Sequence, residues 1–213
     1  MIRRFIKRIL FLDEADQQEQ TESKIVLMSG GNQPPEPDLR IVGLFSEVVD
    51  EKITDIIHAM LYMNEMNKLE KEEEKRKDIE FYLSTYGGSA DDMFALYDMM
   101  KIVEEDTDIV TIGMGKVMSA GVLILAAGTK GKRKIGRNCR VMIHSVIAGN
   151  HGSLPNLINE MEAIQDLQEL YIDRLVEETN MTKKQMKKLL EQKVNIYLSA
   201  EEAVKHGIAD IIV

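Results

Sequence analysis

The chain has 213 residues, with 27 Lys and Arg against 36 Asp and Glu, which gives a formal net charge of −9. This acidic balance argues against a protein that binds nucleic acid or an anionic membrane through bulk charge. No apolar run reaches the ~18 residues that a membrane-spanning helix needs. Cys139 is the single cysteine, so an intrachain disulfide is excluded and we expect a cytoplasmic protein.

Residues 1–38 differ in composition from the rest of the chain. They begin with a basic amphipathic stretch, continue with a polar run and end in GGNQPPEP, which holds three of the four prolines. Such a composition is typical of an arm that ends in a linker. We therefore predict an N-terminal arm over residues 1–38 and one folded domain over residues 39–213.

From residue 39 onward, short apolar runs alternate with segments of helical periodicity. The apolar runs predict strands over 40–44, 79–84, 109–114 and 141–144, followed near the end of the chain by the strand-like IYLS and IADIIV. The spacing of apolar residues predicts helices over 51–67, 91–103, from about 119, from 154 to beyond 175, over 183–192 and in SAEEAVKHG. Strand, glycine turn and helix in repeated succession predict an α/β protein with a mainly parallel sheet.

The helix predicted to begin at Leu154-Pro155 is unusually long. Its apolar residues recur at intervals of three and four from Leu157 to Leu175. A helix of over ~20 residues with such a face needs a partner surface.

Three features that suit a hydrolase follow predicted strands, at the end of the sheet where functional residues collect. Ser119 opens a helix, which places its hydroxyl at a positive helix end as a nucleophile or, alternatively, as a plain N-cap. Gly87-Gly88 lets backbone N–H groups approach a substrate oxyanion, or forms an ordinary turn. His144 ends an apolar strand and is either a general base or a core histidine. Together they are the parts of a serine hydrolase.

Other kinds of site have less support. His58, His151 and His206 lie in a helix, a glycine turn and a helix end, where surface or capping roles are expected. With one cysteine, these scattered histidines have no metal-ligand spacing, so we expect no metal site. The chain has no GxxxxGK[ST] loop and is not expected to hydrolyse ATP or to need a cofactor.

The segment MGKVMSAGVLILAAGTKGKRKIGRNCRVMIHS resembles the core of the ClpP family, the proteolytic subunit of the ATP-dependent caseinolytic protease. STYGGSADDMFALYDMM and YLSAEEAVKHGIAD resemble two further family motifs, so the resemblance runs from about Leu39 to Val213. It implies that Ser119 is the nucleophile and His144 the general base. It also implies that the amides of Gly88 and Ala120 form the oxyanion hole.

Three positions depart from the family pattern. Tyr86 replaces the usual proline before the glycine pair, and Ala120 replaces the methionine after the nucleophile. Both changes are expected to alter pocket shape more than chemistry, since backbone amides form the hole. Asn195 occupies the position of the acidic triad member; it can orient His144 but brings no negative charge. We therefore expect slow turnover or activity that depends on assembly, with Glu191 as an alternative charged partner.

The resemblance also implies an architecture and partners. The fold would be a ClpP/crotonase-like spiral of repeated strand-strand-helix units, with the long helix after His144 as a protruding handle. Two stacked seven-membered rings, a tetradecamer, would enclose a chamber by docking this helix face from Leu157 to Leu175 on its copy. An AAA+ unfoldase ring of the ClpX or ClpA/ClpC type would use the ATP and feed unfolded proteins into the chamber.

The leading hypothesis is an ATP-dependent serine endopeptidase of the Clp type. Three alternatives remain open: a catalytically weak or inactive structural or regulatory ring subunit, a phage-type maturation protease, and an acyl-CoA enzyme of the crotonase type on the related fold.

Overall fold

A computed structural model describes residues 39–191 and 195–213, without the side chain of Glu191. Residues Arg40–Val213 form one compact unit. The predicted arm over residues 1–38 lies outside the described residues, so the division of the chain at residue 38 stays a prediction.

The described part of the chain alternates strands with helices, as expected. Its strands are β1 Ile41–Leu44, β2 Ile79–Thr85, β3 Ile109–Met118, β4 Lys134–Ile135, β5 Arg140–Ile143, β6 Ile196–Leu198 and β7 Ile211–Ile212. Its α-helices are α1 Asp50–Leu69, α2 Ala90–Glu104, α3 Ala120–Ala126, α4 Leu154–Glu178, α5 Lys183–Glu191 and α6 Ala200–Lys205. The α/β class is confirmed, and the arrangement agrees with a ClpP/crotonase-like fold.

The strands form one sheet in the order β1-β2-β3-β4-β7, while β5 pairs with β3 and β6 pairs with β5. All pairs are parallel except β5 with β6. The mainly parallel sheet is thus confirmed. The carboxyl ends of β2, β3 and β5 consequently lie side by side, and each is followed by one of the features singled out in the sequence.

The central strand β3 is longer than the sequence predicts. The apolar run predicts an end at Met114, but the strand continues to Met118. Gly115 has a φ of 64°, and the register against β2 shifts at this point, so a bulge divides the strand. The part before Gly115 pairs with β4 and the part after it pairs with β5. A glycine inside a strand resembles a strand end in sequence, although here it marks a bend.

The core lies between the sheet and the first three helices. Alternate residues of β2 are buried, and α2 buries Met93, Leu96 and Met100 at helical spacing. Every residue of α3 is buried, which its small and aliphatic composition allows. Because α3 is enclosed by the core, the turn that begins it is held firmly in place.

Helix α4 projects from this core. Leu154 is 71% exposed and Met161 is 57% exposed, whereas Tyr171 and Leu175 near the other end of the helix are buried. The expectation that the whole face from Leu157 to Leu175 docks on a second copy is therefore wrong for its last part. Tyr171 and Leu175 instead pack in their own subunit, because the helix meets the core there.

Candidate active site

Ser119 lies at the turn between β3 and α3. It has φ 54° and ψ −123°, and within the described residues it is the one non-glycine residue with positive φ. Such a backbone costs about 1–3 kcal/mol and is found mostly at functional sites. Ser119 occupies the N-cap position, yet its side chain makes no capping hydrogen bond. The alternative role of the Ser119 hydroxyl as a plain N-cap is therefore not supported.

Hydrogen bonds from three elements hold this strained turn. The Ser119 N–H donates to the Met142 carbonyl at 2.8 Å, and the Ser119 carbonyl accepts from the Val122 N–H at 2.9 Å. The same carbonyl accepts from the Tyr171 hydroxyl at 3.1 Å. The turn is thus bonded to β5, to its own helix and to α4.

His144 follows β5 directly; the strand ends at Ile143. Since Met142 in β5 pairs with Met118 in β3, His144 and Ser119 leave neighbouring parallel strands at the same end. His144 Nδ1 lies 2.6 Å from the Ser145 carbonyl oxygen. A carbonyl can only accept, so the proton of a neutral ring lies on Nδ1 and Nε2 is left as a base.

Within residues 39–191 and 195–213, Ser119 and His144 form no hydrogen bond with each other. Both residues nevertheless line the same cavity. Catalytic hydrogen bonds are often long in a protein without substrate and tighten only in the complex.

The glycine pair after β2 lies against the Ser119 turn. Gly87 and Gly88 have φ angles of 99° and 154°. A Cβ on Gly87 would lie 2.6 Å from the Ser119 Cβ and 3.1 Å from the Ala120 nitrogen, so only glycine permits this approach.

Gly88 forms a β-bridge with Val48, and the hydrogen bonds of this bridge come from the residues on either side of Gly88. The Val48 N–H donates to the Gly87 carbonyl, and the Ser89 N–H donates to the Val48 carbonyl, both at 2.9 Å. The N–H of Gly88 itself has no acceptor among the hydrogen bonds of the described residues. Ala120 is the first residue of α3, where an N–H has no acceptor within the helix. Gly88 and Ala120 both line the cavity that Ser119 and His144 share, so two backbone donors belong to its wall.

These groups meet in a cavity of about 500 Å³ whose lining includes Ser119, His144, Gly88 and Ala120. The structure thus brings together four of the five site residues predicted from the sequence. The rest of the cavity wall is largely apolar and includes Met93, Phe94, Ile147, Ile164 and Leu167. Such a wall suits the binding of an apolar side chain next to the polar centre.

Asn195, the fifth predicted site residue, is exposed and precedes β6. The last pair between β5 and β6 joins Ile143 to Ile196, so one further step of the antiparallel register places Asn195 opposite His144. No hydrogen bond between these two side chains occurs among the described residues, and Nδ1 bonds to Ser145 instead. The side chain of Glu191 lies outside the described residues, so its role as an alternative partner stays a prediction.

Three contributors to the site were missed in the sequence: the Ser145 carbonyl, Tyr171 and Gln168, whose Oε1 accepts from the Val146 N–H at 2.7 Å. A backbone carbonyl leaves no signal in a sequence. The two side chains lie in a long amphipathic helix, where periodicity alone gives no reason to assign them to a site.

The other candidate groups do not form a competing site in the described residues. Cys139 is 1% exposed, and burial raises the pKa of its thiol to about 11, which makes it a poor nucleophile. His58 is exposed, and His206 is the C-cap of α6. Over residues 39–191 and 195–213 there is no group of three or more metal-ligating side chains.

No helix in the described part of the chain is long and apolar enough to cross a membrane.

Comparison with known proteins identifies a family. Residues 38–213 match the family model of Clp protease. The chain is 33% identical over 173 residues to "ATP-dependent Clp protease proteolytic subunit 1" of Leifsonia xyli subsp. xyli, a match that covers 81% of this chain and 82% of the relative. It is 31% identical over 173 residues to the protein of the same description from Prochlorococcus marinus (strain MIT 9312), with 81% and 83% covered. It is also 31% identical over 173 residues to "ATP-dependent Clp protease proteolytic subunit" of Borreliella afzelii, with 81% and 82% covered.

Proposed function

Because the chain belongs to the Clp protease family, we propose that it is a serine-type endopeptidase subunit that hydrolyses peptide bonds in unfolded proteins and peptides. The observation that carries this proposal is the cavity that Ser119, His144, Gly88 and Ala120 line together. A nucleophile, a base and two unpaired amide donors within one cavity are the components of acyl transfer. The protease class follows from the family, and the serine type is inferred from this site.

In the proposed mechanism, His144 Nε2 takes the proton of the Ser119 hydroxyl while the oxygen attacks the scissile carbonyl. The N–H groups of Gly88 and Ala120 bind the oxyanion as it develops. The tetrahedral intermediate collapses when His144 returns the proton to the leaving amine, which leaves an acyl-enzyme on Ser119. Water, activated by His144 in the same way, then releases the acid and regenerates the serine.

We propose Asn195 as a neutral residue at the third position of the triad. Its support is the antiparallel register that brings it beside His144. Neither Asn195 nor the Ser145 carbonyl carries the negative charge that stabilises an imidazolium, so the acylation step is expected to be slow compared with an enzyme that has an aspartate there.

The proposed assembly is a pair of stacked rings, here heptameric, that enclose the cleavage sites. Its support on this chain is the unpartnered first half of α4, where Leu154, Leu157, Ile158 and Met161 are exposed. Apolar side chains in a row on a projecting helix need cover, and a second copy of the same helix offers a self-complementary one.

We further propose that the peptidase needs no cofactor of its own and works with an AAA+ unfoldase ring of the ClpX or ClpA/ClpC type, which uses the ATP. The relatives are named proteolytic subunits of an ATP-dependent protease, which supports a separate ATPase partner. A cytoplasmic location belongs to the same proposal.

A second candidate function is that of a weak or inactive ring subunit. The observation that favours it is that His144 Nδ1 bonds to a backbone carbonyl rather than to a carboxylate. Peptidase assays on rings of this chain alone, compared with rings mixed with an active homologue, distinguish the two functions.

The proposed function is tested by cleavage of a fluorogenic peptide and of an unfolded protein by the assembled wild-type chain and by Ser119→Ala. We expect the variant to lose at least about a thousandfold in kcat, since removal of the nucleophile abolishes the acyl-enzyme route. Equal cleavage by the two proteins would overturn the proposal. Ser89→Ala is the matched control, because Ser89 lines the same cavity but caps α2.

A further inference from the structure

Helix α4 contacts the backbone beside both proposed catalytic residues. Gln168 and Tyr171 are three positions apart and therefore lie on the same face of the helix. Gln168 reaches the chain just after His144, and Tyr171 reaches the carbonyl of Ser119. Any role of these two side chains in catalysis rests on the function proposed above for Ser119 and His144.

Tyr171 holds the strained turn. Its side chain is 4% exposed, and its hydroxyl donates to the Ser119 carbonyl at 3.1 Å. Burial raises the pKa of this phenol, so the hydroxyl is protonated and can donate at neutral pH. A backbone at φ 54° persists only where its surroundings fix it, and this hydrogen bond joins Ser119 to an element outside its own turn.

Gln168 holds the peptide group between Ser145 and Val146. The carbonyl of this group accepts from His144 Nδ1 at 2.6 Å, and its N–H donates to Gln168 Oε1 at 2.7 Å. A peptide group is planar, so a partner that fixes the N–H also fixes the direction of the carbonyl. Hydrogen bonds in series polarise one another, which strengthens the bond to the imidazole.

We propose that Gln168 and Tyr171 are positioning residues for peptide hydrolysis: Gln168 orients His144 through the Ser145–Val146 peptide, and Tyr171 fixes the backbone of Ser119. Neither side chain is assigned contact with the reacting atoms. In a chain whose triad position holds an asparagine, the anchored peptide takes over the orientation of the base.

The test uses the full-length assembled chain with the variants Gln168→Met and Tyr171→Phe. Methionine keeps the length and shape of glutamine but cannot accept from Val146, and phenylalanine removes only the hydroxyl. We expect each variant to lower kcat for a peptide substrate about tenfold, the effect of one hydrogen bond, and to change KM by less than about twofold. The rate of labelling by a fluorophosphonate probe is expected to fall in parallel, with ring mass unchanged.

Three control variants separate positioning from general loss of packing. Gln168→Glu retains an acceptor for Val146 and is expected to keep at least about half of the wild-type kcat. Gln165→Met makes the same replacement at an exposed position one turn earlier in the helix. Tyr97→Phe removes another buried hydroxyl, which lies away from the cavity and donates to Glu178 at 2.9 Å. Both are expected to keep the wild-type kcat.

Three results would contradict the inference. If the wild type is active while Gln168→Met and Tyr171→Phe match it in kcat and labelling rate, the positioning roles are wrong and the proposed function stands. If the wild-type chain neither cleaves peptide nor labels at Ser119, the proposed function fails and the inference fails with it. Equal losses of kcat in Gln168→Met and Gln168→Glu would also contradict the role of the acceptor.

Discussion

Replacement of Gly88 by alanine addresses the oxyanion hole directly. The backbone of Gly88 has a φ of 154°, where an alanine is strained by about 1–3 kcal/mol. An alanine Cβ would also lie 2.8 Å from the Val48 nitrogen and 2.9 Å from the Val48 carbonyl carbon, and closer still to its oxygen. The bridge between this loop and Val48 must open to admit the methyl group, and the Gly88 N–H moves with it.

The size of the effect depends on the contribution of this N–H. Loss of one oxyanion donor costs about 2.7–4 kcal/mol, or roughly 10²–10³ in kcat. We therefore expect Gly88→Ala to lower kcat for a fluorogenic peptide at least about a hundredfold in assembled protein.

Gly131→Ala provides the matched control. Gly131 also has a positive φ, 88°, but an added Cβ would meet nothing within 4 Å. Gly131→Ala therefore has the conformational cost of an alanine at positive φ but no steric cost, so we expect a modest loss of thermal stability and unchanged kcat. Gly88→Ala protein that assembles and keeps kcat within about threefold of wild type would refute the assignment of Gly88 to the oxyanion hole.

Three other predictions concern charge and assembly. Asn195→Asp places a carboxylate beside His144 and is expected to raise kcat about fivefold, a gain limited by the exposure of this position; a decrease in steady-state peptidase assays would contradict the placement. Burial raises the pKa of Asp210, but hydrogen bonds from Arg133 and Gly131 outweigh it and leave the pKa below its ordinary value. The Arg133–Asp210 pair therefore stabilises the fold above the ordinary Asp pKa of about 3.9, and this stabilisation is lost as pH falls through the lower folded value. In urea at pH 7, Asp210→Asn should be less stable than wild type, and the difference in stability should shrink, not grow, below about pH 4. Met161→Glu puts a charge on the exposed face of α4 and is expected to convert stacked rings into single rings in native mass spectrometry, whereas Glu160→Gln should not.

The fold was predictable from the sequence where a local pattern coincides with an element. The start of the strand before Ser119, the strand before the glycine pair and the strand before His144 were placed correctly because each combines an apolar run with a turn. The end of β3 was missed, since Gly115 bends the strand without ending it. The strand β4 was missed because Lys134-Ile135 lie in a basic segment and pair only through tertiary contacts.

The candidate site was predictable only in part for a related reason. Ser119, His144, Gly88 and Ala120 lie in motifs, and Asn195 was assigned through a family resemblance. Tyr171 was interpreted as part of an apolar face that docks on another copy, although its ring packs in its own subunit and its hydroxyl reaches Ser119. Arg133 lies in a basic segment, yet its side chain is 5% exposed and pairs with Asp210 at 2.6 Å. Contacts between distant segments, rather than local composition, determine both cases.

We predict that Ser119 is a reactive nucleophile in an assembled peptidase. The most direct test of this prediction is to treat the native protein with a fluorophosphonate, measure the mass of the intact assembly and map the modified residue by peptide mass spectrometry. We expect one adduct per subunit, on Ser119, in a ring-sized assembly, and no adduct in Ser119→Ala or His144→Ala. An assembled wild-type protein that remains unmodified, or one modified at another residue while Ser119 is intact, would contradict the prediction.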